Sequence, residues 1–231
     1  MKKIIRAFVL VFAFTFATAS IWAQTADDFS VTATRDGTGI IITGYSGRSV
    51  TVNIPASIQG LPVKEIGQRA FRGNTVITSV TIPSGVTIIG ESAFAASDKL
   101  FSITIPRTVV SIGREAFKGC SSLTSITIPS SVTTIGIEAF ANTGLRSITW
   151  PASVSEIADY MFRENFNLET VVLPEGLTRI GNGAFHICRS ISEINMPSTL
   201  QNIGNLAFNG CAAIPLGAQG AIRRAGYRGN F

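Results

Sequence analysis

A phenylalanine, usually preceded by alanine, returns along this chain at Phe71, Phe94, Phe117, Phe140, Phe162 (after Met161), Phe185 and Phe208, at intervals of 23, 23, 23, 22, 23 and 23 residues. An Ile-Gly step keeps the same interval, from Ile66-Gly67 through Ile89-Gly90, Ile112-Gly113, Ile135-Gly136, Ile157-Ala158 and Ile180-Gly181 to Ile203-Gly204. Proline follows in phase at Pro83, Pro106, Pro129, Pro151, Pro174 and Pro197. Three columns held in register mean one structural unit used repeatedly, and a period of this length belongs to stacked-repeat architectures.

One copy carries the physics. Leu123, Ile126 and Ile128 are spaced so that Ile126 and Ile128 face one side of a short strand while Ser125 and Thr127 face the other. Pro129 has no N–H to offer and ends the strand. Val132 and Ile135 turn inward on the return path, and Glu138-Ala139-Phe140 suits a single helical turn that buries the ring. A coil this small buries too little apolar surface to offset its backbone entropy alone, so coils must stack and share faces. The expected fold is an α/β solenoid: a right-handed coil stack with one parallel β-sheet, short helical turns and an N-terminal β cap.

The departures from the repeat are informative. Ala158 stands in the glycine column, so that column reads as a demand for small size more than for positive φ. The 22-residue interval comes from a shortened loop at Asn142-Thr143-Gly144, and the entry coil carries extra residues around Gln59–Val63. Residues 24–57 lack the repeat but alternate, as expected for a hairpin-like cap over the first coil. The solenoid is assigned to 58–214, as about seven coils of 22–23 residues, and a C-terminal cap to 215–231. There Ala218 to Ala225 suits a short helix stopped by Gly226, with Ile222, Tyr227 and Phe231 available to cover the last coil.

Residues 1–23 read as a signal peptide: Lys2, Lys3 and Arg6, then an apolar run from Ala7, then small residues before Gln24. The alternative is a retained membrane helix, against which the Ala, Ser and Thr of the second half argue. The expected compartment is extracytoplasmic: secreted, surface or periplasmic. The formal charge of +5 is concentrated at the ends; without the first three basic residues, 16 basic face 14 acidic ones. A nearly neutral body is not a nucleic-acid binder.

From Leu123 to Phe140 the pattern Leu-x-x-Ile-x-Ile-Pro-x-x-Val-x-x-Ile-Gly-x-x-Ala-Phe is complete, and it continues over roughly Ile58 to Ile214. In this the sequence resembles the BspA-like leucine-rich repeats, the Treponema pallidum-type class. Ile40 to Tyr45, Val52 to Pro55 and Gly60 to Val63 are similar to that family's N-terminal cap. The resemblance implies a non-enzymatic surface or secreted protein, with members that adhere to host or bacterial components.

Catalytic chemistry finds little support. Cys120, Cys188 and Cys211 each lie three residues after the repeat phenylalanine, in a column that also holds Asn74, Ser97, Thr143 and Asn165. A small semi-polar slot serving a turn's backbone is the favoured reading. A Cys188–Cys211 disulfide between adjacent coils, metal binding and a nucleophile are the alternatives. With His186 the lone histidine, no two-histidine metal site or His-based triad is available, and no cofactor is expected.

The outward side of the strands is the candidate site. Ser79 and Thr81, Ser102 and Thr104, Ser125 and Thr127, and Ser147 and Thr149 repeat a Ser-x-Thr pair; Thr170 with Val172 and Glu193 with Asn195 continue it, with Phe101 and Arg146 on its flank. Thr is a good exposed strand residue in any protein. As a functional array, a rigid ladder of this kind is a contact platform for a protein partner. The reading is an exported, non-enzymatic binding protein, in its specific form a cell-surface adhesin. An envelope-associated scaffold is the alternative, and hydroxyl-ladder binding of carbohydrate or ice a third.

Overall fold

The computed structural model describes residues 25–231, so the signal peptide expected at 1–23 lies outside the described residues. The chain winds into a β-solenoid of about seven turns, and each turn has three sides. The first side carries short parallel strands at Thr51–Asn53, Ser79–Thr81 and Ser102–Thr104, then at Ser147–Thr149, Thr170–Val172 and Glu193–Ile194. Their central residues, such as Val80 and Ile103, pair across coils and point inward to the core.

The expectation of a single parallel sheet is corrected on the second side. There Leu61–Ile66, Ile88–Ile89, Ser111–Ile112 and Thr134–Ile135 form another parallel ladder, resumed by Glu156–Ile157, Arg179–Ile180 and Asn202–Ile203. The Ile-Gly steps read as a return path are themselves extended. The Val110 N–H donates to the Thr87 carbonyl at 2.9 Å and the Gly113 N–H to that of Ile89 at 2.7 Å, so two residues suffice for a rung.

The expected helical turn is also absent from the third side. Glu115, Phe117 and Gly119 donate their N–H groups to Ile137, Ala139 and Ala141 of the next coil, each at 2.9 Å. Their neighbours Ala116, Lys118 and Cys120 instead bond back three residues, to Gly113, Glu115 and Phe117. A helix needs every N–H aimed along its own axis; here alternate donors cross between coils. Left-handed residues at Glu115 (φ 54°) and Gly119 (φ 76°) produce the alternation. The same two columns recur at Glu138 and Asn142, and at Gly183 and Ile187.

Inside, the repeat phenylalanines form a stacked column. Neighbouring rings from Phe71 to Phe208 lie 4.9 to 5.9 Å apart and within 11° of parallel. The glycine column is tight: a Cβ on Gly113 would sit 2.6 Å from the Glu91 nitrogen, and none of these glycines has a positive φ. Close approach, not conformational freedom, sets that column.

Both ends of the stack are closed by aromatic residues. Phe29–Ala33 and Ile40–Tyr45 form an antiparallel hairpin, and Phe29, Tyr45 and Phe71 continue the ring column at 5.1 and 5.5 Å. Hydrogen bonds from the Thr34 hydroxyl, and from the Thr38 N–H and hydroxyl, hold the Asp36 carboxyl of that hairpin down at about 2. The extra residues of the entry coil form a second hairpin, Ser57–Ile58 with Leu61–Ile66, turned by Gln59 and Gly60 at positive φ. At the other end a helix, Leu216–Arg224, begins after Pro215 and gives way to Gly226 at φ +105°. It buries Ile222 and brings Tyr227 edge-on to Phe208 at 5.6 Å.

Candidate partner-binding face

The first ladder presents the candidate residues. Because side chains alternate along a strand, burial of Val80, Ile103, Ile148 and Val171 turns their neighbours outward. Parallel register then stacks like on like. Thr51, Ser79 and Ser102 share one row, and Asn53, Thr81 and Thr104 the other. Thr51 and Asn53 extend these rows beyond the residues expected there; the signal that could have found them is Val52-x-Ile54-Pro55, which repeats the strand pattern of Val80-x-Ile82-Pro83. In the second half Ser147, Thr170 and Glu193 share a row, with Thr149 facing Val172 in the next.

The face is not uniform. Phe101 is 61% exposed on its flank, one side chain along from the hydroxyl rows. Arg146 stands opposite Glu169 at 3.8 Å, both well exposed, a pair worth little in water. The Thr170 hydroxyl donates to Glu193 at 3.1 Å. Asn195 is already engaged: its amide nitrogen donates to the Leu173 carbonyl at 2.7 Å and its oxygen accepts the Leu173 N–H at 2.8 Å. Ser125 and Thr127 are exposed, but the segment that carries them forms no strand.

This stack, its aromatic column and its paired hairpins can be set beside known proteins. The BspA type Leucine rich repeat region matches in six copies, over residues 49–165 and 93–215. The chain belongs to this leucine-rich repeat family. A leucine-rich repeat protein of T. pallidum is 36% identical, with a TM-score of 0.87 over 90% of this chain and 98% of that one. A leucine rich cell surface protein of Faecalibacterium prausnitzii A2-165 is also 36% identical, with a TM-score of 0.75. That match covers 83% of this chain and 53% of the other. No curated protein is significantly similar in sequence.

In this BspA-type chain the cysteine column is part of the scaffold. Cys120, Cys188 and Cys211 are free and buried. Each thiol donates to a phenylalanine carbonyl of the preceding coil: Phe94 at 3.1 Å, Phe162 at 2.9 Å and Phe185 at 3.0 Å. Ser97 does the same to Phe71 at 2.7 Å, and Asn165 to Phe140 at 2.7 Å. Burial pushes the Cys120 and Cys211 thiols up to about 12, and Cys188 rises well above its usual value for the same reason. Such thiols are neutral at physiological pH and poor nucleophiles or metal ligands.

Elsewhere the leucine-rich repeat scaffold carries solvated charge. His186 sits 3.2 Å from the Asn209 side-chain oxygen at the turn edge. Arg179 pairs with Asp159 at 2.8 Å and Lys118 with Glu115 at 3.3 Å. Among the described residues no three His, Cys, Asp or Glu side chains cluster as a metal site, and no helix is long and apolar enough to cross a membrane. The outward rows of the second ladder, with Ile88 40% exposed, form another surface that the sequence reading overlooked.

Proposed function

We propose that this protein is an exported scaffold that binds another protein through the Ser/Thr face of its first ladder, and that it acts at the cell surface. The carrying observation is the register: hydroxyl side chains in straight rows on strands whose inner residues are fixed in the core. A partner loses little entropy in meeting side chains held this way. Phe101 supplies an exposed aromatic anchor at the edge of the rows, the kind of residue that concentrates binding energy. Export and surface placement are supported by the basic and apolar start of the sequence and by kinship to a leucine rich cell surface protein. The envelope-scaffold reading needs no partner-facing rows. The carbohydrate or ice reading needs a continuous array, and Ser125 and Thr127 interrupt it.

The test has two arms. Added protease on intact cells should degrade the protein if it stands at the surface, and a protected protein would sink that placement. The mature chain, immobilised, should retain proteins from surface and extracellular-matrix fractions that the triple variant Thr104→Lys, Thr127→Lys, Thr149→Lys does not. All three positions are exposed, so the variant should fold, while three charges in the contact oppose binding. Equal retention by a folded triple variant would move the site off this face.

A further inference from the structure

Both ladders are interrupted around the Phe140 coil, the first on either side of Ser125–Ile128 and the second between Thr134–Ile135 and Glu156–Ile157. On the first side, Ser102–Thr104 and Ser147–Thr149 are strands, but Ser125–Ile128 between them has no backbone hydrogen bond to either among the described residues. One bond survives on the later flank, from the Arg146 N–H to the Thr124 carbonyl at 3.0 Å, across the junction of the Phe140 and Phe162 coils. On the second side, Gly113, Gly136, Gly181 and Gly204 each donate an N–H to the isoleucine carbonyl of the preceding coil, at 2.7 to 2.9 Å. Ala158, in the same column, makes no such bond to Ile135. A groove of about 440 Å³ lies along Ser125–Ile128, Ser147, Thr149 and Pro151, and one of about 230 Å³ along Thr133–Ile135 and Val154–Glu156.

The local sequence explains the break. A Cβ on Gly181 would lie 2.6 Å from the Asp159 nitrogen, and one on Gly113 equally near Glu91. Ala158 carries that Cβ, so its coil cannot approach the preceding one at the common spacing. Trp150 is buried where other coils have Ile82, Ile105, Ile128 or Leu173, and it stacks edge-on to Phe162 at 5.7 Å. Both substitutions fall in the coil reached by the 22-residue interval.

The third side stays closed. Glu138, Phe140 and Asn142 donate their N–H groups to Asp159, Met161 and Arg163 at 3.2, 3.1 and 2.8 Å. Buried Asn165 pins this edge: its amide nitrogen donates to the Phe140 and Phe162 carbonyls at 2.7 and 2.8 Å, and its oxygen accepts the Thr143 N–H and hydroxyl. Phe140 and Phe162 are the widest stacked pair of the column at 5.9 Å. The Ser153 hydroxyl adds one link to the Val132 carbonyl at 2.6 Å.

We infer that the solenoid is two blocks that meet at a joint between the Phe140 and Phe162 coils, hinged on the Asn165 edge, open along the second ladder and held on the first side by the single Arg146–Thr124 bond, with Ser125–Ile128 loose between its neighbouring strands. The two halves of the Ser/Thr face, Thr51 to Thr104 and Ser147 to Asn195, then move as separate units. The joint stands whether or not that face binds a partner.

Hydrogen exchange on the folded chain reads it directly. Amides of Ser125–Ile128 and Ser155–Ala158 should exchange roughly tenfold or more faster than those of Ser79–Ile82 and Thr178–Gly181, as expected for one missing bond each. Ala158→Gly should slow exchange at Ser155–Ala158 toward the level of Thr178–Gly181, whereas Ala158→Ser, which keeps a Cβ, should not. Spin labels on cysteines placed at exposed Thr81 and Val172, four rungs and about 19 Å apart, should give a broad distance distribution that narrows in Ala158→Gly. Uniform protection across the coils, or an unchanged distribution in Ala158→Gly, overturns the joint.

Discussion

The rings of Phe117 and Phe140 lie 5.5 Å apart and 1° from parallel, each fully buried. Phe140 is held between Phe117 and Phe162, with backbone hydrogen bonds joining the turn to both neighbouring coils. Phe140→Ala should therefore cost about 3–5 kcal/mol, because neither neighbour can fill the space. Phe208→Ala should cost less, since on one side the ring meets the cap residues Tyr227 and partly exposed Phe231 instead of another stacked coil. Chemical denaturation of both variants checks the ranking, and equal losses would contradict it.

The glycine column makes a second expectation. Gly113→Ala places a Cβ 2.6 Å from the Glu91 nitrogen and the Gly90 carbonyl carbon, atoms that cannot rotate away. We expect a loss of about 1–3 kcal/mol from overpacking, with exchange at Ser111–Gly113 rising toward that of Ser155–Ala158. A variant as stable as the parent would show that coil spacing is softer than the contacts indicate.

Much of this architecture is legible in the residues. Phe, Ile-Gly and Pro keep phase because each serves a position every coil must fill, so the stack, its end hairpin and the C-terminal helix follow. Other features leave weaker marks. A rung of two residues such as Ile88–Ile89 has no alternation to detect. The turn columns hold Glu138, Tyr160 and Ile187 at positive φ, residues that do not advertise a left-handed conformation. Tertiary hydrogen bonds between coils override local preference there. The consequence of Ala158 depends on backbone atoms of another coil, which spacing alone does not place. The Ser/Thr rows were visible, but the engagement of Asn195 with Leu173 was not, because it is made across coils.

The thiols provide a third test. Their burial and raised proton affinity predict no reaction of Cys120, Cys188 or Cys211 with an aromatic disulfide reagent in the native state, and reaction of all three after unfolding. Cys120→Ser should retain the bond to the Phe94 carbonyl, as Ser97 does to Phe71. Cys120→Ala deletes the donor together with the sulfur, and should cost more than Cys120→Ser, roughly 1–2 kcal/mol.

Glu65 provides a pH-dependent expectation. Partial burial on the second ladder raises its pKa above the ordinary carboxylate value of 4.5. A group raised on folding contributes stability below its unfolded pKa and loses it as pH rises through the folded value. Near neutrality the charged form is thus a liability. Glu65→Gln should raise the melting temperature at pH 7 and leave it unchanged at pH 4; the opposite order would reverse the assigned sign.

Because alternate turn donors always reach exactly one coil ahead, each coil carries matched connectors on its two sides. Duplicating or deleting a whole 23-residue unit within either block leaves every remaining connector with its counterpart. A copy of the Ala158 coil would instead bring its own Cβ against a new neighbour and install a second joint. Growth by unequal recombination can therefore lengthen this protein almost anywhere, but only that one coil changes its shape.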